Sequence, residues 1–393
     1  MPSSLATPAS RRILGAVTAL LAAGPLALNT TAPAHAEAPD PVAAALDWQA
    51  TAIATVPFSP AKGLYLGFTS KAVDKAVAAS LRIERSSEAA AIAQAAHDVL
   101  VEYFPAAGPT LDDRLAQTLA SVPDGPAEDR GVAIGADVAG GIIDWRTDDG
   151  RNDPSIVYSK PSGIGVWQDV RGMATPWLGF VDRVVGAQPV PVDGPDPVGS
   201  AAYRADLAEV AAIGRAGADP DKAATATFFN VDAFSLYRAA LITHLRSAPI
   251  GLRATTLLFA DLDLATAEAF RQTWRLKFEV GFWRPAVAVA ADDGDPLTEP
   301  VAGWTSVLPL PPYPDYPSGH GTITSAFAET VRCHLDDDIS LTLNGAGGSR
   351  TYASLTALED AAFLSRIWGG IHFRDAMDDS FVIGHTVARQ VCG

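Results

Sequence analysis

Three short segments in the C-terminal part of the chain carry the polar residues that any fold of this sequence has to bring together. In chain order they read RLKFEVGFWRP, YPDYPSGHG and SRIWGGIHF. They supply three cations, one hydroxyl, one glycine amide and two imidazoles: Lys277, Arg284, Ser318, Gly319, His320, Arg366 and His372. Several charged donors at one point suit a tetrahedral oxyanion, because a multiply charged anion is costly to remove from water. The sequence therefore predicts a fold in which these segments meet around an anion.

Ala-rich stretches with helical spacing alternate with Pro- and Gly-rich connectors through most of the chain. The stretch SSEAAAIAQAAHDVLVEYF places its apolar residues on one face of a helix that Ser86 or Ser87 would cap. A second helix is predicted to start at Thr110 with a capping-box variant, and a third to cover residues 221–246. The longest helical stretch, as one helix or two, is predicted for residues 251–283.

Two stretches depart from the helical pattern. Residues 146–200 are rich in Pro, Gly and Asp, so we expect an ordered loop that lines the mouth of a site. Residues 339–352 alternate apolar and polar residues before a Gly-rich turn, which allows a small hairpin. The sequence thus predicts an all-α fold of helical bundles, with at most one small β-hairpin, in a single catalytic domain over residues 37–393.

The N-terminal segment has the features of a signal peptide. Arg11 and Arg12 precede the apolar run ILGAVTALLAAGPLAL, and Ala34-His35-Ala36 offers a small-x-small cleavage site. The run is short for a membrane span. We therefore expect residues 1–36 to be removed near Ala36 and the mature protein to be secreted without a membrane span, by either the general or the twin-arginine route.

The charge of the chain limits its partners. The formal net charge is −16 at pH 7, which argues against nucleic acid and anionic membranes as partners.

The chain has two cysteines, Cys333 and Cys392. Export is compatible with one disulfide between them, and two buried free thiols are the alternative.

Each of the three segments also has a plainer interpretation when it is taken alone. Ser318 could simply cap the helix that follows it, and His372 could be a structural histidine after a glycine pair. Lys277 and Arg284 could belong to a solvated helix face. The three segments together favour an anion site, because their donors complement one another without duplicating roles.

The motifs Lys-x6-Arg-Pro, Pro-Ser-Gly-His and Ser-Arg-x5-His, in this order, resemble the signature of the vanadium-dependent haloperoxidases and the type-2 phosphatidic-acid phosphatases. The stretches FWRPAVAV, GWTSVLPLPPYPDYPSGH and SRIWGGIHFR are similar to sequences of the haloperoxidase branch. The stretch AAHDVLVEYFPA resembles sequences of its soluble bacterial members. The resemblance implies an all-α fold of two four-helix bundles.

The resemblance also implies a role for each residue. The oxygens of a vanadate cofactor would be held by the following residues: Lys277, Arg284, Ser318, Gly319 and Arg366. His372 would be the axial vanadium ligand, and His320 the acid–base group beside the apical oxygen. Trp274 and Tyr313 occupy the positions of the aromatic side chains that lie near the halide in the family.

One position departs from the family pattern. The wider motif places an aspartate four residues after the ligating histidine, and here that residue is Ala376. A carboxylate normally orients such a histidine from behind. Either Asp375 or a backbone carbonyl takes its place, or His372 is held less firmly.

The implied reaction is the oxidation of halide by hydrogen peroxide at the vanadate, with a small organic molecule as a further substrate. Phosphate presents the same oxygens and would occupy the same site. A soluble acid phosphatase, with His372 as the nucleophile and His320 protonating the leaving group, is a second hypothesis. A non-catalytic oxyanion-binding protein is a third. Halide preference and oligomeric state stay open.

Overall fold

The computed structural model describes residues 40–393. Its thirteen α-helices are α1 Pro41–Thr55, α2 Lys62–Ser80, α3 Glu88–Tyr103, α4 Gly108–Leu119, α5 Pro126–Trp145, α6 Ala201–Ile213, α7 Pro220–Phe228, α8 Ala233–Ser247, α9 Leu252–Val280, α10 Pro285–Ala288, α11 Gly319–His334, α12 Leu355–Trp368 and α13 Arg374–Cys392. Strands β1 Leu341–Gly345 and β2 Gly348–Tyr352 form one antiparallel hairpin. The predicted all-α class with one small hairpin is confirmed.

The helices form two groups that share α9. In the first group, α2 packs against α3, α5 and α9, and α1 packs against α3 and α8. In the second group, α11 packs against α9, α12 and α13. Because α9 belongs to both groups, its last turn carries Lys277 to the place where the second group begins.

Small side chains allow the close approach of helices in the first group. Helix α3 buries a run of alanines against α5. At Gly131 and Gly135 of α5, an added Cβ would lie 2.4 Å from the carbonyl oxygen of Ser87 and 2.6 Å from that of Ala91. Both distances are far below van der Waals contact, so these glycines set the spacing of the two helices.

Several helix ends differ from the sequence prediction. The predicted single helix over residues 221–246 is wrong, because the helix is interrupted between α7 and α8. The Asp232 carboxylate caps the start of α8 by accepting from the Ser235 N–H at 3.3 Å. Helix α4 begins at Gly108, ahead of the predicted start at Thr110, and has no side-chain cap. Ser87 is the N-cap of α3.

Helix α9 is one continuous helix of 29 residues. It ends at Val280 because Gly281 adopts the left-handed conformation, with φ 66°, that ends many helices. An added Cβ at Gly281 would lie 2.3 Å from the hydroxyl of Tyr158, so a larger residue does not fit there.

The predicted signal peptide, residues 1–36, lies outside the described residues, and the assignment of residues 37–393 to a single catalytic domain stays a prediction. Within residues 40–393, no helix combines the length and apolar character needed to cross a membrane.

Cys333 and Cys392 form a disulfide, with their Cα atoms 6.3 Å apart. Cys333 lies near the end of α11 and Cys392 at the end of α13, so the bond ties together two helices that pack side by side. The bond closes a loop with a sequence separation of 59 residues.

We predict that replacing both cysteines, as Cys333→Ser/Cys392→Ser, lowers the free energy of unfolding by about 4 kcal/mol. The reason is that cross-linking a loop of this length restricts the unfolded chain. Denaturant unfolding of the variant and the oxidised wild type measures the difference. Two alkylatable thiols in the non-reduced wild type would contradict the bond.

Candidate active site

The structure brings all seven predicted anion donors together at the ends of α9, α11 and α12 and in the loops that join them. The side chains of Lys277, Arg284 and Ser318 have no solvent exposure, and those of Arg366 and His372 are buried. The same convergence is seen at His372, whose pKa is lowered by burial and by four neighbouring groups: Arg284, Lys277, Arg366 and His320.

Lys277 lies in the last turn of α9. Its Nζ donates to the backbone carbonyls of Pro314, at 2.7 Å, and Asp315, at 2.8 Å. Burial lowers the pKa of Lys277 well below its ordinary value, and the nearby charge of Arg284 lowers it further. Two of its three N–H groups therefore hold the segment that leads into α11, and the third is free to meet a ligand.

Arg284 connects two of the three segments. Its Nε donates to the Tyr313 carbonyl at 3.0 Å, its Nη2 to the Pro314 carbonyl at 3.2 Å, and its Nη1 to the Ile371 carbonyl at 2.7 Å. The backbone at Arg284 is extended, with φ −93° and ψ 154°, as expected of a residue that precedes proline. This conformation turns the guanidinium away from α9 and into the site.

The Ser318-Gly319-His320 segment begins α11. The Ser318 Oγ accepts a hydrogen bond from the Gly321 N–H at 3.2 Å, so the serine does cap its helix, and its hydroxyl proton remains to be donated. The Ser318 N–H donates to the Ala376 carbonyl at 2.8 Å, which ties this segment to α13. An added Cβ at Gly319 would lie 3.0 Å from the Phe270 ring, so a side chain there would press on that ring.

Besides His372, two of the predicted residues present polar atoms with no hydrogen-bond partner on the described chain. They are Nε and Nη1 of Arg366, and Nε2 of His320. A buried donor without a partner costs about 1–3 kcal/mol, and a charged one costs more. A bound oxyanion would satisfy these atoms, so the residues present fit the cofactor that the family resemblance implies.

His372 follows a tight turn at the end of α12. Gly370 adopts the left-handed conformation, with φ 72°, and an added Cβ would lie 2.2 Å from the Gly214 carbonyl oxygen. Only glycine fits this position, and the turn directs His372 back into the site. Burial lowers the pKa of His372 well below its ordinary value, with further lowering by Arg284 and Lys277, so the imidazole is neutral at pH 7.

The carboxylate beside His372 is Asp315, a residue that the sequence analysis did not select. Its Oδ1 lies 2.8 Å from Nδ1 of His372, without the alignment of a full hydrogen bond, and Asp315 is completely buried. The group that faces Nδ1 of His372 is therefore Asp315, and not Asp375 or a backbone carbonyl. The Asp375 carboxylate instead accepts from the Asp196 N–H at 3.1 Å.

Asp315 stands two residues after Tyr313 in the quoted segment YPDYPSGHG, so the signal was present. Its role depends on the fold of that segment, which includes a cis peptide bond between Tyr316 and Pro317. With Nδ1 of His372 facing Asp315, the Nε2 atom is the nitrogen available to bind a ligand.

The buried charges of the site do not balance. Three basic side chains, Lys277, Arg284 and Arg366, are buried in the site with one carboxylate, Asp315. Burial raises the pKa of Asp315 to about 7, although Arg284 and Lys277 oppose this. Burial lowers the pKa of Arg366 to about 10, so it stays protonated at neutral pH. A bound anion would offset this excess of buried positive charge.

Trp274 and Tyr313 line a cavity of about 300 Å³ next to the cation site. We call it the aromatic cavity and define it by Phe58, Phe234, Phe270, Trp274, Tyr313 and His320. The loop of residues 146–200, predicted to line the mouth of a site, contributes Ala174 to its wall, and the Trp274 indole donates to the Ala174 carbonyl at 3.1 Å.

Comparison with known families and structures agrees with this geometry. Residues 257–393 match the family model of the second helical-bundle domain of VCPO. Vanadium chloroperoxidase of Curvularia inaequalis is 39% identical over 83 residues, which is 19% of this chain and 14% of that protein. The match thus spans only about 14% of the length of that relative.

Two solved structures share the fold over most of the chain. One is described as the first bacterial vanadium-dependent iodoperoxidase, with a TM-score of 0.74 and 19% identity, covering 89% of this chain and 95% of the other. The second is a holo-type bacterial vanadium-dependent chloroperoxidase, with a TM-score of 0.62 and 17% identity, covering 86% and 94%. The predicted resemblance is thereby supported: residues 257–393, which carry all seven residues of the candidate site, match the family model, and the chain shares the fold of the two bacterial vanadium-dependent haloperoxidases.

Proposed function

We propose that this protein is an exported, vanadium-dependent haloperoxidase that oxidises halide with hydrogen peroxide. The observation that carries the proposal is the excess of buried positive charge around two neutral histidines. Vanadate is an anion that accepts several hydrogen bonds and one nitrogen ligand, so it meets both requirements of the site. Secretion after cleavage near Ala36 is part of the proposal and rests on the N-terminal sequence alone.

Five residues would hold the oxygens of vanadate: Lys277, Arg284, Ser318, Gly319 through its N–H, and Arg366. His372 would bind vanadium through Nε2, because Nδ1 faces Asp315. When bound, vanadate supplies the Lewis-acid centre at which hydrogen peroxide is activated to oxidise halide. The protein contributes fixed donors that need no rearrangement during the reaction.

His320 is suited to accept a proton from incoming peroxide at Nε2. Burial, followed by the charge of Arg366, holds the pKa of His320 well below its ordinary value, while a hydrogen bond with the backbone of Phe229 opposes the shift. The imidazole is therefore neutral and able to act as a base before vanadate binds. A bound anion stabilises the protonated form, so His320 can later return the proton to departing water.

A phosphatase is a second candidate, and the contact between His372 and Asp315 favours it. A carboxylate behind a neutral imidazole is the arrangement that orients a histidine nucleophile. Phosphate would use the same five donors, and His320 would protonate the leaving group. The two functions differ in the second substrate, which is peroxide with halide in one and a phosphomonoester in the other.

We predict that the purified protein, freed of bound anions, oxidises bromide with hydrogen peroxide only after vanadate is added. Phosphate should compete with vanadate, because both present tetrahedral oxygens to the same donors. The rate of bromination against vanadate concentration, with and without phosphate, measures this. Hydrolysis of a phosphomonoester that vanadate inhibits, without bromination at any pH, would establish the phosphatase instead.

We predict that two substitutions separate binding from reaction. Arg366→Ala removes a buried cation and should weaken vanadate binding by several kcal/mol, on the order of 3. His320→Ala should leave the vanadate Kd within about threefold of wild type while slowing turnover by about 100-fold or more, the usual contribution of a general base. Calorimetric titration with vanadate and steady-state kinetics give the two readouts. An Arg366→Ala protein that binds vanadate as tightly as wild type contradicts the site.

We predict that Asp315→Asn weakens vanadate binding by about 10- to 100-fold, the usual cost of losing a residue that orients a metal ligand. Asp375→Asn is the matched control, since it removes a carboxylate from the same region without touching His372. Vanadium-51 NMR of the bound anion gives a readout independent of activity. Adding Ala376→Asp to Asp315→Ala should restore part of the affinity, and an unchanged Kd in Asp315→Asn would exclude the role of Asp315.

A further inference from the structure

The aromatic cavity reaches from the protein surface to the cation site. Phe58 stands at its rim with 71% of its surface exposed, and His320 lies at its inner end. Its volume of about 300 Å³ is at the lower end of the range for small-molecule pockets. It is far larger than a halide ion or hydrogen peroxide requires.

One wall of the cavity is a continuous series of aromatic rings. Phe270 stacks on Trp274, with ring centroids 4.5 Å apart and an interplanar angle of 28°. Phe234 contacts Phe270 edge-on at 5.5 Å, and Tyr313 contacts Trp274 at 4.9 Å. The Trp274 indole is held by its hydrogen bond to Ala174, so the wall is rigid and offers flat apolar faces.

The cavity is free of formal charge in a strongly acidic protein. Its lining contains no carboxylate, lysine or arginine, although the chain carries a net charge of −16. The polar atom at its inner end is Nε2 of His320, which has no partner on the described chain. Outside its inner end, where the cations lie, the cavity offers a charged organic molecule no ion pair in place of its lost hydration, whereas a neutral molecule needs none.

We propose that the aromatic cavity binds the organic acceptor of the halogen, a neutral, flat, electron-rich aromatic molecule, and holds it beside His320 while it is halogenated. This inference rests on the proposed haloperoxidase function.

The overall reaction balances with the reactants already named. For an aromatic ArH and halide X⁻, it is ArH + X⁻ + H₂O₂ + H⁺ → ArX + 2 H₂O. The halide loses two electrons, the O–O bond of peroxide is reduced and broken, and a C–X bond replaces a C–H bond on the ring. A base next to the ring accepts the proton that leaves carbon, and the unpartnered Nε2 of His320 is placed for that step.

The test uses 1-naphthol as the probe. Calorimetric titration into vanadate-loaded protein, in which the bound anion offsets the cations, should give saturable binding, and 1-naphthalenesulfonate, which has the same rings and a negative charge, should bind at least about tenfold more weakly. Phe58→Ala should raise the Kd of 1-naphthol by about five- to tenfold, because part of the aromatic surface is lost, and Phe58→Trp should restore it.

Leu297→Ala is the matched control. Leu297 is 72% exposed, as Phe58 is, and lies outside the aromatic cavity, so its loss should leave naphthol binding as in wild type. A second readout is the ratio of 2-bromo- to 4-bromo-1-naphthol formed by the vanadate-loaded enzyme. A retained acceptor gives a ratio different from that of added hypobromous acid, and Phe58→Ala moves it toward the free-acid value.

The outcomes separate the two proposals. Bromination with the free-acid product ratio and no naphthol binding overturns the acceptor site and keeps the haloperoxidase. Saturable binding that Phe58→Ala weakens, without bromination, keeps the site as an aromatic-binding cavity and overturns the haloperoxidase. Equal binding of naphthol and its sulfonate analogue overturns the selection of a neutral acceptor.

Discussion

The buried guanidinium of Arg284 is the interaction on which the site depends. It donates to carbonyls on both sides of the site, at Tyr313 and Pro314 in one segment and at Ile371 in another. Lys277 adds two hydrogen bonds to the first of these segments. Lys277 and Arg284 therefore fix the backbone around the candidate anion site as well as lining it. The loss of either cation would leave backbone carbonyls without a hydrogen-bond partner of equal strength.

This construction explains why the histidines are neutral. Burial lowers both imidazole pKa values, and nearby cations lower them further: Arg284 and Lys277, which carbonyls hold in place, act on His372, and Arg366 acts on His320. A neutral imidazole can bind vanadium or accept a proton, and an imidazolium can do neither. The cost of keeping the cations buried is an imbalance of charge, which makes binding of an oxyanion favourable.

The sequence alone was sufficient for the parts of the site that lie in contiguous motifs. Short motifs in the sequence contain Lys277, Arg284 and His372, and the residue types in these motifs indicate an anion site without knowledge of the fold. Helical periodicity indicated the all-α class. The break between α7 and α8 was missed because Asp232 acts as a cap in the middle of an otherwise helical pattern. Asp315 was missed because only the folded turn before α11 brings its carboxylate to His372, across 57 residues of sequence.

The position of that carboxylate changes how the site is held together. Residue 376 still contributes its backbone carbonyl, which accepts the Ser318 N–H, so α13 keeps its hold on the start of α11. The orientation of His372 falls instead to Asp315, whose own carbonyl accepts a hydrogen bond from Lys277. Asp315 thus contacts Lys277 through its backbone carbonyl and His372 through its side chain. The geometry of His372 is therefore set by the same backbone that Lys277 and Arg284 fix, and a disturbance at any one of the three segments reaches the other two through Asp315.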